Sequence, residues 1–501
     1  MAIVIPFKGL RYNPEIVSNL AEVVTPPYDV IDAADQEKYY KCNSCNIIRL
    51  EYGKNLPGDN ESCNRYTRAS TDFNTWLNEK VMTPEAKPAL YLYEQEFTAG
   101  GETKVRSGLI CGVRLEPYEK GVILPHEETM PKHKADRLEL LRACSANFSP
   151  IFGLYEDRGE KVDTALREAV QGAAPDVNFT DESGESHRLW VITDGEAINR
   201  VQQAMATMRI FIADGHHRYE TALNYQKEQA SREKESAAGS VAATSSCSAT
   251  PEDAMSCTCE TDPAYNYVMM TLVNLYDPGL VVFPTHRLVK NISAKDRSCL
   301  LDKLKESFQV EEFPLAPDRS NFQEFLRTLA ERGKGRPKPA ACGSSKSQND
   351  LPDTGKETAG GEPGVRTGAN ACHPHAFGLY TGDNKLYLLS YMNSGQLSQV
   401  MPPDRSRAWQ GLDVSVLHSL IIEKHLGICG ELRARAEHIT YTREEEGALA
   451  AVDAGKYQLA FFLNPTRVEE VIEVAGNGEK MPQKSTFFYP KLITGLVVNR
   501  L

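Results

Sequence analysis

Apolar residues along this chain recur in two rhythms, and each predicts a different element. Short apolar runs closed by Gly, Pro or Asn read as strands: residues 89–97, 107–115, 122–124, 208–213, 267–273 and 279–283, then 385–390 and 457–463. The run Asn46-Ile47-Ile48-Arg49-Leu50-Glu51 reads the same way, as a buried strand. Elsewhere apolar positions return every three or four residues, which places them on one face of a helix. That spacing predicts a helix from near Ala135 with Leu138 and Leu141 inward. It predicts another after Gly215, carrying Tyr219, Ala222 and Leu223, and a third around 414–418. Thr25-Pro26-Pro27-Tyr28-Asp29-Val30-Ile31-Asp32 is a turn fixed by its prolines. Strands and helices mix without an internal repeat, so the expected fold class is α+β, with mixed sheets and helices.

Two stretches break the pattern. Residues 231–262 are rich in Ser, Ala, Thr and Glu, and 333–372 in Gly, Lys, Pro and Ser. Neither holds enough periodic apolar residues to fold alone, so both read as flexible insertions. They leave an N-terminal block over 1–87, a core over 88–330 that contains the first insertion, and a C-terminal α/β block over 373–501.

Composition narrows the function classes. The chain carries 56 Lys and Arg against 68 Asp and Glu, a net charge of −12. Nucleic acid is therefore an unfavoured partner, because a phosphate backbone needs clustered cations. No run approaches the ~20 apolar residues that span a bilayer, and Pro6 interrupts the apolar start. Neither a membrane span nor a secretory leader is expected, and the location reads as cytoplasmic. Twelve cysteines in 501 residues are too sparse for a disulfide scaffold. Cys42-x-x-Cys45 and Cys257-x-Cys259 each lack the second ligand pair of a zinc site. The oligomeric state is left open.

The richest chemistry lies at Asp214-Gly215-His216-His217-Arg218, between an apolar strand and a helix. Glycine allows an unusual backbone turn, and the helix start presents unpaired N–H groups and a partial positive charge. Such a turn can hold a phosphate, to which Arg218 adds a planar fork of donors, and the histidines can donate hydrogen bonds, bind metal or move protons. The plainer alternative is a helix start with Asp214 as its cap. Upstream, His126-Glu127-Glu128-Thr129 leads into a helix bearing Lys132, Lys134 and Arg137. A carboxylate beside a histidine can deprotonate a hydroxyl or hold a divalent cation, and the three cations can neutralise phosphate oxygens. A merely charged helix entrance fits the same pattern. His286 and Arg287 repeat the motif of polar residues at a strand end. Lys484 stands in a Lys-Ser-Thr sequence like the end of a P-loop, but the preceding Gly-x-x-x-x-Gly is missing, leaving Lys484 as a point charge for phosphate.

With T-P-P-Y-D-V, H-E-x-T, A-D-G-H-H-R-Y-E-T-A, P-T-H-R and K-S-T-F-F-Y-P in hand, the chain resembles an uncharacterised, mostly bacterial family that shares these motifs. Its glycine turn also resembles the phosphate-binding box of the ParB and sulfiredoxin superfamily, and the motif pair is most similar to that of the archaeal free-serine kinases. The resemblance implies a ParB/sulfiredoxin-like core elaborated by N- and C-terminal blocks and the two insertions. It implies a nucleotide-dependent phosphotransferase acting on the hydroxyl or phosphate ester of a small metabolite, with serine or phosphoserine the first candidate. Glu127, His126 and Asp214 would be catalytic, and Asp214 and Glu127 would hold Mg²⁺. Gly215, His216, His217, Arg218, Lys132, Arg137, His286, Arg287 and Lys484 would bind the phosphates of ATP or ADP. Sulfiredoxins carry a cysteine where His216 stands, so sulfinic acid reduction, which needs a thiolate, is not expected. Two other readings remain: a nucleotide-binding regulatory module of ParB type that turns over no metabolite, and a phosphoserine phosphatase or metal-dependent hydrolase. In the last, His126, His216, His217 and His286 would be the metal ligands.

Overall fold

The computed structural model describes residues 1–127, 129, 131–240, 262–334, 375–393, 396–430, 432 and 437–501. Most of the two expected insertions lies outside the described residues. Residues 231–240 are not part of an insertion, because they continue the helix His216–Ser240. The chain divides into two compact units, one of residues 1–281 with 488–501 and one of residues 282–487. This differs from the expected break near 330: the end of the chain folds with the first unit.

A nine-stranded mixed sheet organises the first unit. Its strands are β1 (Val4–Ile5), β2 (Leu90–Ala99), β3 (Glu102–Arg114), β4 (Ile123–Leu124), β5 (Ile151–Tyr155), β6 (Val177–Thr180), β7 (Ser186–Ile192), β8 (Ile210–Asp214) and β9 (Tyr267–Asn274). They run in the order β4-β8-β5-β9-β3-β2-β7-β6, with β1 added beside β3. β9 is buried along its whole length, parallel to β5 and antiparallel to β3, which accounts for its nearly unbroken apolar sequence. Side chains such as Met270 and Leu272 pack with Val162, Leu166, Val201, Met205 and Tyr219 from three helices, at about 1.5–3 kcal/mol for each fully buried apolar side chain.

The segment 46–51 corrects its strand expectation: residues Ile48–Glu51 form a short helix. Asn46 Oδ1 accepts the Ile48 N–H at 2.9 Å, which starts the turn, and Ile47 and Leu50 enter a core with Phe73, Trp76 and Phe148. An apolar run this short is compatible with either element, and here the side-chain turn decides. The helix expected near Ala135 begins earlier, at Pro131, and runs to Cys144. Its buried stripe is Arg137, Leu140, Leu141 and Cys144, while Leu138 is only partly covered.

The second unit is built on a six-stranded antiparallel sheet. β10 (His286–Val289), β11 (Phe308–Pro314), β12 (Ala376–Tyr380), β13 (Lys385–Tyr391), β14 (Ile439–Thr442) and β15 (Leu459–Phe462) run in the order β11-β13-β12-β15-β10-β14. Alternate residues enter two separate cores. Phe377, Leu379 and Phe461 pack with Leu300, Leu304, Val414 and Leu417, whereas Ala376, Tyr380 and Phe462 pack with Phe322, Phe325, Leu449 and Val452. The helix expected at 414–418 is present as Asp413–Val416 and continues as a wider π-helix over Leu417–Glu423.

The whole architecture is α+β. Among the described residues no helix is long and apolar enough to cross a membrane.

Candidate functional site

β4 and β8 lie parallel and adjacent, Ile123 opposite Ile210 and Leu124 opposite Phe211. Two chain segments far apart in sequence therefore leave the same sheet edge side by side: 125–127 after β4, and 214–218 after β8. A register shift against β5 between Ile212 and Asp214 bends β8 where it delivers Asp214.

Two histidines join the segments. His126 Nδ1 donates to Ile212 O at 2.7 Å, and the His126 N–H donates to His216 Nε2 at 3.2 Å. The second bond makes Nε2 of His216 an acceptor and so places the proton of its neutral form on Nδ1. Their rings meet edge to face, with centroids 4.7 Å apart, and both residues are buried. Farther along, Thr129 Oγ1 and Lys134 Nζ both donate to Glu220 Oε2, at 2.6 and 2.9 Å.

Gly215 has φ +93°. A Cβ there would meet the Arg218 guanidinium at 2.9–3.1 Å, so glycine answers both to the left-handed backbone and to the close approach of Arg218. Arg218 Nη1 donates to Pro150 O at 2.6 Å, so at least one arm of the fork supports the turn. Arg218 also lines a cavity of about 50 Å³ with Glu51, Arg137, Ser149 and Thr221, enough space for water.

Lys491 is the residue that sequence reasoning missed. Its Nζ donates to Asp214 Oδ2 at 2.7 Å, and both side chains are more than four-fifths covered. Burial alone raises the Asp214 pKa, but Lys491 and Arg218 outweigh it and hold the carboxyl well below the usual range. Lys491 arrives because 488–501 folds with the first unit. Phe488 packs on His126 and Phe152, and Thr494 exchanges backbone bonds with Thr25 of the proline turn. The one local signal for Lys491 is its place just after the aromatic run Phe487-Phe488-Tyr489, whereas the P-loop likeness points to Lys484.

The proline turn contributes too. Tyr28 and Asp29 lie in a 3₁₀ turn, Tyr28–Val30; the Tyr28 ring stacks under Arg137, whose Cζ is 4.1 Å from the ring centre. His217, half-buried, sits 5.1 Å from the His133 ring. Burial lowers the pKa of His217 and His133 lowers it further, while Glu127, Asp29 and Glu220 pull it upward. Burial likewise lowers His126, against the opposing pull of Glu127. Glu127 thus acts on one histidine from each motif.

Several of the remaining expected ligands have partners of their own. Arg137 is on a buried helix face: Nη1 donates to Glu51 O at 2.9 Å, and Nε and Nη2 donate to Asp136 Oδ2 at 2.8 and 2.6 Å. Its fork is engaged by protein groups. The side chain of Lys132 lies outside the described residues. His286, Arg287 and Lys484 belong to the second unit, where His286 Nδ1 accepts the Leu463 N–H at 3.3 Å and Arg287 donates to Thr285 O and, at 3.0 Å, to Lys484 O. Among the described residues, His126, His216 and His217 form no group of three metal-ligating side chains; such a group occurs at Asp181, Glu185 and His187, with ligand atoms within 4.8 Å of one another.

The histidines set a pH dependence. Their folded pKa values lie below the unfolded value of ~6.5, so the unfolded chain takes up protons first as pH falls. Their contribution is fully present above about pH 6.5 and is lost progressively below it. Buried Asp277, pushed up to about 6 by desolvation, acts with the opposite sign. Urea midpoints measured from pH 7.5 to 5 should therefore fall more steeply for wild type than for His126→Gln; equal slopes would remove His126 from the acid response.

A family model described as "Protein of unknown function (DUF1015)" matches residues 4–415. No curated protein matches the chain. Among solved structures, a conserved hypothetical protein from Pyrococcus furiosus is 14% identical, with a TM-score of 0.30 over 78% of this chain and 93% of that one. A free serine kinase variant in complex with ADP is 13% identical, TM-score 0.30, over 77% and 88%. C-terminally truncated SbnI from Staphylococcus aureus is 11% identical, TM-score 0.29, over 77% and 85%.

Proposed function

The chain belongs to the DUF1015 family, a family of unknown function, and from its own residues we propose that the first unit is a nucleotide-dependent phosphotransferase. Its acceptor is the hydroxyl of a small metabolite, serine being the first candidate, or in reverse its donor is the phosphate ester. The observation that carries this reading is the pair of histidine bonds that closes the Glu127 loop onto the Asp214 turn. A carboxylate base and a phosphate-accepting turn are thereby neighbours, which is what transfer to a hydroxyl needs.

Glu127 takes the hydroxyl proton as the new O–P bond forms and the bond to the leaving nucleotide phosphate breaks. The glycine turn and helix start accept the phosphates through backbone N–H groups. Asp214, held ionised beside Lys491 and Arg218, has the charge and hardness to ligate Mg²⁺, with Glu127 the second candidate ligand. Bound Mg²⁺ would neutralise charge on the phosphates. His126 and His216 then serve chiefly to hold the two loops together.

Equilibrium binding tests the first half of this reading. ATP or ADP with Mg²⁺ should bind at micromolar to millimolar concentration and shift thermal unfolding upward, as any ligand of the folded state does. Absence of both effects for either nucleotide would sink it.

A further inference from the structure

Lys491 lies outside the residues that the family model matches, yet it contacts the Asp214 carboxylate of the glycine turn. Its backbone is pinned: Gln95 Nε2 donates to Lys491 O at 3.0 Å, and Gln95 Oε1 in turn accepts from the buried guanidinium of Arg106. Arg106 sits over the Phe152 ring, Cζ 4.7 Å from its centre, and Phe152 packs against Phe488 three residues before Lys491. Three buried groups thus hold the main chain at 488–491, while a flexible four-carbon stem carries the ammonium to the glycine turn. This is more apparatus than a surface ion pair has.

We propose that Lys491 is the cation that contacts the nucleotide phosphate, exchanging part of its bond to Asp214 for a phosphate oxygen while Asp214 turns to the divalent cation. The proposal rests on the nucleotide reading above. An ammonium has three donors and a rotatable stem, so it can serve carboxylate and phosphate from one anchor point. Lys87, exposed in the first unit and outside both motifs, is the contrasting lysine.

The test compares full-length wild type with Lys491→Met and Lys87→Met, titrated with Mg²⁺ and either ADP or adenosine. Lys491→Met should weaken ADP binding by about tenfold or more, the range for losing one charge-assisted hydrogen bond, and leave adenosine binding within about twofold. Lys87→Met should change neither. A purely structural role for Lys491 would weaken both ligands alike, and that result overturns the proposal. Unchanged ADP affinity in folded Lys491→Met also overturns it while leaving the nucleotide reading intact. Wild type that binds no nucleotide removes both. Should Lys491→Met not fold, amine acylation of wild type followed by peptide mass spectrometry replaces it. ADP with Mg²⁺ should protect Lys491, and adenosine should not; equal labelling of Lys491 in both overturns the proposal.

Discussion

Glu127→Gln is expected to lower phosphoryl transfer by at least about a hundredfold, the lower bound for removing a positioned general base, while ADP affinity stays within about twofold. Glutamine keeps the shape and loses only the charge and the proton-accepting oxygen. The loop should keep its place because it is held by other groups: His126 bonds to Ile212 O and His216, and Thr129 bonds to Glu220. The turn at 214–218, proposed to accept the phosphates, does not include Glu127, which is why binding and turnover should separate. Steady-state rates and ADP titrations on the same preparation check this. Turnover near the wild-type rate would remove Glu127 from the chemistry.

Arg137→Met should have the largest effect on stability, a loss of about 3–5 kcal/mol, as when one partner of a buried ion pair is removed. Arg137 and Glu51 have side chains only 6% and 4% exposed, with Nη1 3.3 Å from Glu51 Oε1. Burial pushes the Glu51 carboxyl up despite Arg137 and Arg218, so its charge is already disfavoured with Arg137 in place. Without Arg137 the carboxylate would keep Ser149 and the more distant Arg218, and Tyr28 would lose its stacked cation. Urea unfolding at pH 7.5 measures the loss. The same variant decides between two roles for Arg137: a structural arginine lowers the midpoint and spares ADP affinity in the folded protein, whereas a phosphate ligand would do the reverse.

Periodicity located the strands that carry the site. The apolar runs before His126 and Asp214 are β4 and β8, and the prediction of a glycine turn opening a helix matches Gly215 and the helix that starts at His216. What periodicity does not encode is which strands become neighbours. The parallel pairing of β4 with β8 across more than eighty intervening residues is a property of the assembled sheet, although the two motifs hinted at it through complementary chemistry. Residues 46–51 were misread because a short buried run has no period to measure. A charge on Arg137 suggests solvent or a ligand, whereas its spacing with Leu140, Leu141 and Cys144 places it on the buried stripe. Lys491 reaches Asp214 through the return of 488–501 to the first unit, a long-range contact that no local pattern announces. The identity of the acceptor is likewise absent from the motifs, since a base and a phosphate turn suit many hydroxyls.

The most direct test of phosphoryl transfer is phosphorus NMR of the full chain with Mg²⁺, run once with serine and ATP or ADP and once with phosphoserine and ADP or AMP. Conversion between the nucleotide and phosphoserine resonances in at least one direction, abolished by Glu127→Gln, is the expected result. Unchanged spectra in both directions from protein that binds nucleotide would contradict serine phosphotransfer and favour a binding module without turnover.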